Sequence, residues 1–466
     1  MEGKQQKGNR MNTQPNIVFY FTDQQRADTC GCYGQKLDIT PNLDKLADEG
    51  TLFENAFTVQ PVCGPCRALF QSGLYPTETG CFRNNKMLPL TVKTLANYME
   101  GAGYRTAYVG KWHLASEGEL EKGPSLDYQT KAVPPYLRGG YTGFWRAADV
   151  LEFTSDGYGG YIFDENCVRH DFKGYRCDCI TDYALEFLDG YQGDKPFFLT
   201  VSHIEPHHQN NAHHYQGPVG SKEQYKNFIP PEDLADLPGG DWKEEYPDYL
   251  GAIHSCDSNF GRLIAKLKEK GLYEDTIIIY TSDHGSHFRT RNQDSHKCGY
   301  DDYKRTCHDA AVHVPLVIGG GPFAQKGRRV KELVTTGSLP KTMVHLAGIE
   351  VGEHMMGEEL DLIARGIIPE ERKNEVYIQI SESRVGRCLR TDSYKYAVVA
   401  PFVNGGAVAS SNHYIDDFLY DLQADPFELH NLTGETAYAV IKKRLRARLL
   451  ELIKETEHTT PLITDW

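Results

Sequence analysis

The chain has 466 residues, 40% hydrophobic and 24% charged, an ordinary globular balance at a length that supports one large core and a smaller second one. Its net charge of −14 speaks against nucleic acid or an anionic membrane as the main partner, because both are held by basic surfaces. No stretch approaches the run of ~18 apolar residues that a membrane span needs, and Met1–Asn16 is polar with scattered lysines and no apolar signal-peptide core. A soluble, cytoplasmic protein is therefore expected, with its twelve cysteines read as mostly reduced thiols. Residues 1–14 read as a disordered tail, with Met11 as a second candidate start.

In chain order, Asn16–Thr22, Thr106–Val109, Pro196–Ser202, Thr276–Ser282 and Val314–Gly319 read as buried strands separated by helix-like stretches. That alternation predicts an α/β fold on a large mixed, mostly parallel sheet flanked by helices. Pro41–Glu49 carries helix signals, with Thr40 as N-cap, Pro41 in the first position and Gly50 as the stop, and Thr94–Glu100 ends in the same way before Gly101. Residues 117–175 and 209–241 are rich in Gly, Tyr and Asp without clean periodicity and read as long surface insertions that shape a pocket. Beyond about residue 350 the pattern changes to short strands at Val376–Ile380 and Tyr394–Val399 and a final amphipathic helix at Tyr438–Glu455. This divides the chain into a catalytic unit at 15–350 and a smaller α+β unit at 351–466, with a small antiparallel sheet and a final helix.

Two of the strands end in concentrated polar chemistry: Thr22-Asp23-Gln24-Gln25-Arg26 and Ser282-Asp283-His284-Gly285. An acid directly after a buried strand cannot stay ionised without a partner, and two converging acids repel unless a cation lies between them. Asp23, Gln24, Asp283 and His284 therefore form a candidate metal set of three oxygen donors and one imidazole; the alternative is that each Asp caps the turn that follows it. Cys63-Gly64-Pro65-Cys66 has the C-x-x-C form of a redox site, but Arg67 and an apolar segment ending in Ser72-Gly73 follow it inside a chain far larger than a minimal redox domain. A pair of merely buried thiols is a third reading. Lys111-Trp112-His113, after the strand ending at Val109, puts a cation and an imidazole at one turn, which suits an anion. His207, after Pro206, is a candidate general acid.

Cys63-Gly64-Pro65-Cys66-Arg67 resembles the C-x-P-x-R signature of the formylglycine-dependent sulfatases of the alkaline phosphatase superfamily. The likeness continues in order along the chain. Asn16–Gly34 is similar to the family's opening strand, Thr40–Phe57 to its T-P-N-L-D segment, Gly110–Leu114 to its G-K-W-H-L and Pro196–His207 to the strand ending in Pro-His. Thr276–Gly285 is similar to the S-D-H-G metal strand, Lys304 to the lysine before V-P-L, and Leu419–Leu432 to the closing L-Y-D-L…D-P…N-L.

The resemblance implies an alkaline-phosphatase-like α/β sandwich with a C-terminal subdomain, acting on a sulfate ester, on a sulfated carbohydrate in preference to a small alkyl sulfate. By analogy Cys63 is converted to formylglycine by a maturation enzyme and supplies the nucleophile. Asp23, Gln24, Asp283 and His284 would bind Ca2+, and Arg67 would stabilise the formylglycine hydrate. Lys111 and Lys304 would neutralise sulfate oxygens, His113 would bond the diol, and His207 would protonate the leaving alcohol. Gln24 stands where many members carry a second Asp, which leaves Mn2+ and Zn2+ open as alternatives. His308 and Asp309 replace a common Tyr-Glu pair and point to a specialised pocket wall. Competing readings are a phosphate or phosphonate ester hydrolase of the same superfamily, a non-catalytic sulfated-glycan binder and, last, a redox protein. A zinc knuckle built from Cys167, His170, Cys177 and Cys179 fits zinc spacing poorly, and the run His203, His207, His208, His213 and His214 is read as a polar loop lining a sugar pocket.

Overall fold

The structure is a computed structural model that describes residues 14–119, 122–292, 302–350 and 354–465. The predicted N-terminal tail lies, apart from Gln14, outside the described residues. In chain order the strands are β1 (Asn16–Asp23), β2 (Thr51–Phe57), β3 (Arg105–Lys111), β4 (Glu117–Glu119), β5 (Gly123–Leu126), β6 (Phe144–Ala148), β7 (Tyr158–Asp164), β8 (Arg169–Tyr175) and β9 (Phe197–Pro206). They continue with β10 (Thr276–Ser282), β11 (Leu316–Gly319), β12 (Arg328–Thr335), β13 (Glu375–Ile380), β14 (Gly386–Thr391), β15 (Tyr394–Val399), β16 (His413–Asp421) and β17 (Leu462–Thr464).

Ten strands form one sheet in the order β12-β2-β11-β10-β1-β9-β3-β6-β7-β8. Its centre, β10-β1-β9-β3-β6, is parallel throughout, while β11, β7 and β8 run antiparallel to their neighbours. Side chains alternate across the sheet. Ile17, Phe19 and Phe21 of β1 and Ile277 and Ile279 of β10 enter one core layer, and Val18, Tyr20, Ile278 and Tyr280 enter the other. Both faces are therefore buried, which explains why these strands read as unbroken apolar runs. Each such side chain contributes roughly 1.5–3 kcal/mol by leaving water.

Helix α1 (Pro41–Glu49) has the predicted bounds, but Thr40 does not cap it with its side chain. Asp257 accepts from the Asn42 and Leu43 amides in its place, at 3.0 and 2.8 Å. The Leu95–Gly101 helix is capped by Thr94, whose hydroxyl accepts from the Asn97 amide.

The stretch 117–175 is not the surface insertion that its composition suggests. It contributes β6, β7 and β8, which extend the large sheet by three strands, with Trp145, Ala147 and Ala148 fully buried. Periodicity is hidden there because β8 is half exposed and β7 is interrupted by glycines. Within 209–241, Tyr215, Tyr225 and Leu234 pack with Tyr246, Tyr249 and Phe288, which pins that segment to the long Trp242–Glu269 helix.

The C-terminal part is a five-stranded sheet, β13-β14-β15-β16-β17, antiparallel except for the β16–β17 pair. One face takes Leu445, Leu449, Leu452 and Ile453 of the Ala439–Glu457 helix. The other packs Val376, Ile378 and Phe418 against Phe57, Val312 and Leu333 of the larger unit. Among the described residues, no helix is long and apolar enough to cross a membrane.

Candidate active site

Four neighbouring parallel strands, β10, β1, β9 and β3, deliver Asp283, Asp23, His207 and Lys111 to one edge of the sheet, where open α/β sheets gather functional groups. The β1–β10 register pairs Thr22 with Ser282, so Asp23 and Asp283 emerge side by side. A bulge between Phe21 and Asp23 brings Asp23 opposite Pro206, next to His207. Gly110, with φ at 106°, lets β3 approach Ser202, whose carbonyl oxygen would lie 2.0 Å from any added Cβ, and so sets the direction of Lys111. The turn beyond is held by Asp149, which accepts from the Leu114 and Ala115 amides at 2.9 Å and from the Ser116 hydroxyl at 2.6 Å, and whose carbonyl accepts from the His113 amide at 2.7 Å.

Cys63 opens helix α2 (Cys63–Ser72), all ten residues of which are buried. Gly73 ends it in the left-handed region, at φ 67°, with its amide donating to the Leu69 carbonyl. Val62 offers no side-chain cap; the Gly64 amide donates instead to Asn84 Oδ1 at 3.0 Å, which leaves the Cys63 side chain free. Arg67 follows one turn later on the same face.

The Cys63 sulfur lies 3.0 Å from Lys304 Nζ, 3.3 Å from His284 Nε2 and 3.4 Å from Asp23 Oδ1. Burial alone pushes the thiol up, but Lys111, Lys304 and His284 outweigh it and hold it well below the ordinary thiol range. Lys304 Nζ also donates to His207 Nε2 at 2.9 Å. Nδ1 of His207 is tied to the His208 carbonyl, so Nε2 is the nitrogen turned toward Cys63. Burial and then Lys304 push His207 down from the ordinary imidazole range.

The two carboxylates differ sharply. Asp23 Oδ2 accepts from Lys111 Nζ at 2.9 Å and Arg67 Nη2 at 3.0 Å; burial and Cys63 push it up, yet Lys111, His207 and Arg67 hold it well below the carboxylate range. Asp283 Oδ1 accepts from the Gln24 and His284 amides, while its fully buried Oδ2 has no hydrogen-bond partner. Burial and the neighbouring Asp23 push Asp283 up to about 6. Arg67 Nη2 stands 3.6 Å from Asp283 Oδ2, too far for a hydrogen bond, so a divalent cation between the two carboxylates would relieve their repulsion and give Oδ2 a closer partner.

Donor atoms of Asp23, Cys63, Asp283 and His284 all lie within 4.8 Å of one another. His284 Nδ1 is engaged by the Gly285 carbonyl, which leaves Nε2 for a metal. The amide nitrogen of Gln24 is spent on Tyr215 and Ser286, so only its Oε1 remains to offer. The residues present thus fit a metal.

All ten residues singled out from sequence are brought to this strand edge. Several important ones were missed. Glu152, buried on the short Leu151–Thr154 helix, accepts from Lys111 Nζ at 3.2 Å, has a second oxygen without a partner, and is held down to about 2, where Lys111 and His113 overcome its burial. Arg305, beside Lys304, pairs with Glu382, and Glu382 also accepts from the Asn84 amide at 2.7 Å, so the C-terminal part reaches the rim of the site. The acid directly beyond β6 is Asp149; Glu152 sits four residues past the strand, on the short helix that follows it, and carries no such local signal.

Other readings dissolve. Cys66 turns from Cys63 toward Thr58 at 3.4 Å and into the core, with its thiol pushed well up by burial, so the C-x-x-C pair is not arranged as a redox couple. His308 bonds Tyr420 and Thr306, and Asp309 pairs with Lys395 and Arg390, so these two clamp the C-terminal sheet. Cys167, His170, Cys177 and Cys179 scatter: Cys167 is exposed near Arg138, His170 pairs with Asp164, Cys179 donates to the Lys173 carbonyl, and Cys177 faces His203.

The sulfatase family model matches residues 15–349, and the model for the C-terminal part of N-sulphoglucosamine sulphohydrolase matches residues 297–455. The chain is 30% identical over 470 residues to the uncharacterized sulfatase YidJ of Escherichia coli (strain K12), covering 94% of this chain and 86% of that one. It is 26% identical over 533 residues to an N-acetylglucosamine-6-O-sulfatase of Bacteroides thetaiotaomicron, covering 96% and 88%. A solved structure in complex with its substrate D-glucosamine-2-N,6-O-disulfate matches with a TM-score of 0.75 at 24% identity, covering 96% of this chain and 99% of that one. With the fold, the ordered motifs and a full-length relative in agreement, the chain is an enzyme of the sulfatase family.

Proposed function

We propose that this sulfatase removes sulfate from a sulfated carbohydrate, using formylglycine made from Cys63 and a divalent metal. The observation that carries the reading is the setting of Cys63: a buried residue at a helix N-terminus, within 3.4 Å of a lysine, a histidine and a carboxylate, and in a patch rich in cations. Asp23, Asp283, His284 and Gln24 Oε1 would hold the metal; their mainly oxygen donors and two negative charges favour Ca2+, with Mn2+ or Zn2+ as alternatives because of the imidazole. When present, the metal polarises a sulfate oxygen, and the formylglycine hydrate offers one hydroxyl for attack on sulfur and a second whose deprotonation releases sulfate.

The remaining work falls to the chain's own side chains. Lys111 and Lys304 place positive charge where the sulfate oxygens gather charge. Arg67 is anchored by the Lys111 carbonyl at 2.7 Å and Ser202 at 2.6 Å, so its other nitrogen stays on Asp23 and fixes the wall behind residue 63. His113 bonds to the group at residue 63. His207, fed through Nε2 by the Lys304 ammonium, protonates the departing alcohol. Because Cys63–Arg67 is wholly buried in the folded chain, a formylglycine-generating enzyme must reach it before the chain closes.

The sugar reading is supported by the specificity named for the N-acetylglucosamine-6-O-sulfatase relative. The reading is tested by kcat/KM on matched sulfate, phosphate and phosphonate esters, including N-acetylglucosamine 6-sulfate. A sulfate preference is expected. A preference for phosphate or phosphonate would move the chain to the phosphoesterase reading, and binding without turnover by protein carrying formylglycine would make it a glycan binder.

A further inference from the structure

Cys63 and Lys304 meet at 3.0 Å although 241 residues separate them, and Lys304 lies on neither a helix nor a strand. A long side chain on a loop keeps one position only if its backbone is held from outside. Two carboxylates do this. Asp302 Oδ1 accepts from the Lys304 amide at 2.9 Å and the Arg305 amide at 3.3 Å, and Asp302 Oδ2 accepts from Arg305 Nη1 at 3.3 Å. Arg305 then reaches Glu382, in the turn between β13 and β14, whose Oε1 accepts from Arg305 Nε at 3.1 Å and also from Nη2. The other oxygen of Glu382, Oε2, accepts from the Asn84 amide at 2.7 Å, and Asn84 Oδ1 accepts from the Gly64 amide at 3.0 Å, beside Cys63 on the first turn of α2. One carboxylate, 8% exposed, therefore bonds both to the loop that carries Lys304 and to the segment that seats Cys63. The backbone of Glu382 is strained: φ is 72°, in the left-handed region that non-glycine residues avoid, and its amide donates to the Gly405 carbonyl at 3.0 Å. Such strain persists where the surroundings over-determine it, and it gathers at functional sites.

We propose that Glu382 is a positioning residue for the reaction, a carboxylate of the C-terminal unit that sets the Lys304 ammonium against residue 63. This rests on the roles proposed above for Cys63 and Lys304. Glu382 acts through Arg305 and Asp302 on one arm and through Asn84 and Gly64 on the other. Charge makes the Arg305 arm firm, because a charge-assisted bond is shorter and stronger than a neutral one. An amide in place of the carboxylate could keep the Asn84 bond and would lose the ion pair. Lys304 released from this hold would still reach the site, but would spend less time where it can neutralise sulfate oxygens or feed His207. The loss therefore falls on kcat, and it passes through Lys304.

The test is a double-mutant cycle between Glu382→Gln and Lys304→Ala in protein carrying formylglycine, read on whichever of the matched sulfate, phosphate and phosphonate esters the parent chain hydrolyses fastest. In the parent background Glu382→Gln should lower kcat roughly 10-fold with KM changed by less than about 2-fold, and Glu382→Asp, which keeps the charge, should recover part of the loss. In the Lys304→Ala background the same change should cost less than about 2-fold. Equal losses in the two backgrounds, or a change confined to KM, overturn the proposal. Should Glu382→Gln fail to fold, Arg305→Gln removes the same ion pair from the other side and is put through the same cycle with the same expectations. A failed sulfate preference leaves this cycle intact, because the ester is chosen by the parent's own turnover. For a chain that binds without turnover, the Kd of inorganic sulfate takes the place of kcat: weaker binding in Glu382→Gln that vanishes in the Lys304→Ala background is expected, and additive losses overturn the positioning role.

Discussion

Cys63 and Cys177 are both buried, both lie on the first turn of a helix, and both touch a histidine, yet their thiols are driven in opposite directions. Around Cys63, Lys111, Lys304 and His284 overcome burial and hold the thiol well down. Around Cys177, burial dominates, the neighbouring Cys256 adds to it, and the thiol is pushed well up. The difference teaches that a helix N-terminus and a histidine do not suffice to make a reactive position; converging ammonium groups do. The same contrast separates Asp23, ringed by Lys111 and Arg67, from Asp257, which is buried against backbone amides, has no ion pair among the described residues and is pushed up to about 6.

Breaking the cationic ring should have the largest effects. Stripping the metal with a chelator should lower turnover on the order of 10^3-fold, with recovery on adding Ca2+; full activity in the metal-free protein would remove Asp283 from the proposed role. Replacing Lys304 by Ala should cost about 10^2 to 10^3 in kcat. In protein whose Cys63 is left as a thiol, the same change should shift the pH profile of Cys63 alkylation upward and leave that of Cys177 unmoved. Glu152→Gln should be milder, roughly 10-fold in kcat with little change in KM, because Lys111 keeps its bond to Asp23. The conservative variant Glu152→Asp should recover part of the loss.

The smallest effect concerns stability. Asp257 titrates near 6 in the folded chain against an ordinary 3.8, so the native state binds the proton more tightly than the unfolded state. Its ionisation therefore removes stability as pH rises from about 4 through 6, by at most about 3 kcal/mol. Urea unfolding across that window should show a flatter profile for Asp257→Asn than for the parent chain, and an unchanged slope would contradict the raised carboxyl.

Much of this arrangement was legible in the amino-acid sequence because buried parallel strands are written as apolar runs and their ends as sudden polarity. β1 and β10 were visible in this way, and with them Asp23 and Asp283. The outermost strand β8 and its neighbour β7 were not, since a half-exposed strand or one with glycines loses its alternation. Lys304 and His207 could be tied to Cys63 only by resemblance, because the sequence separations of 241 and 97 in the Lys304–Cys63 and Lys304–His207 bonds leave no local trace. The Cys177–Cys256 meeting is invisible for the same reason: each cysteine, read alone, is an ordinary helical core residue. The tight Cys177–Cys179 spacing fits zinc poorly, and the sulfur nearest Cys177 belongs to Cys256 on another helix, 3.7 Å away.

The central claim is that the cationic ring surrounds a residue converted from thiol to aldehyde. It is tested by mass spectrometry of the Cys63 peptide from protein made together with a formylglycine-generating enzyme, beside turnover of an aryl sulfate by the parent chain and Cys63→Ala. The account predicts a peptide mass shifted from thiol to aldehyde, and activity lower by on the order of 10^4-fold or more in the variant. A persistent thiol, with hydrolysis undiminished in Cys63→Ala, would contradict it.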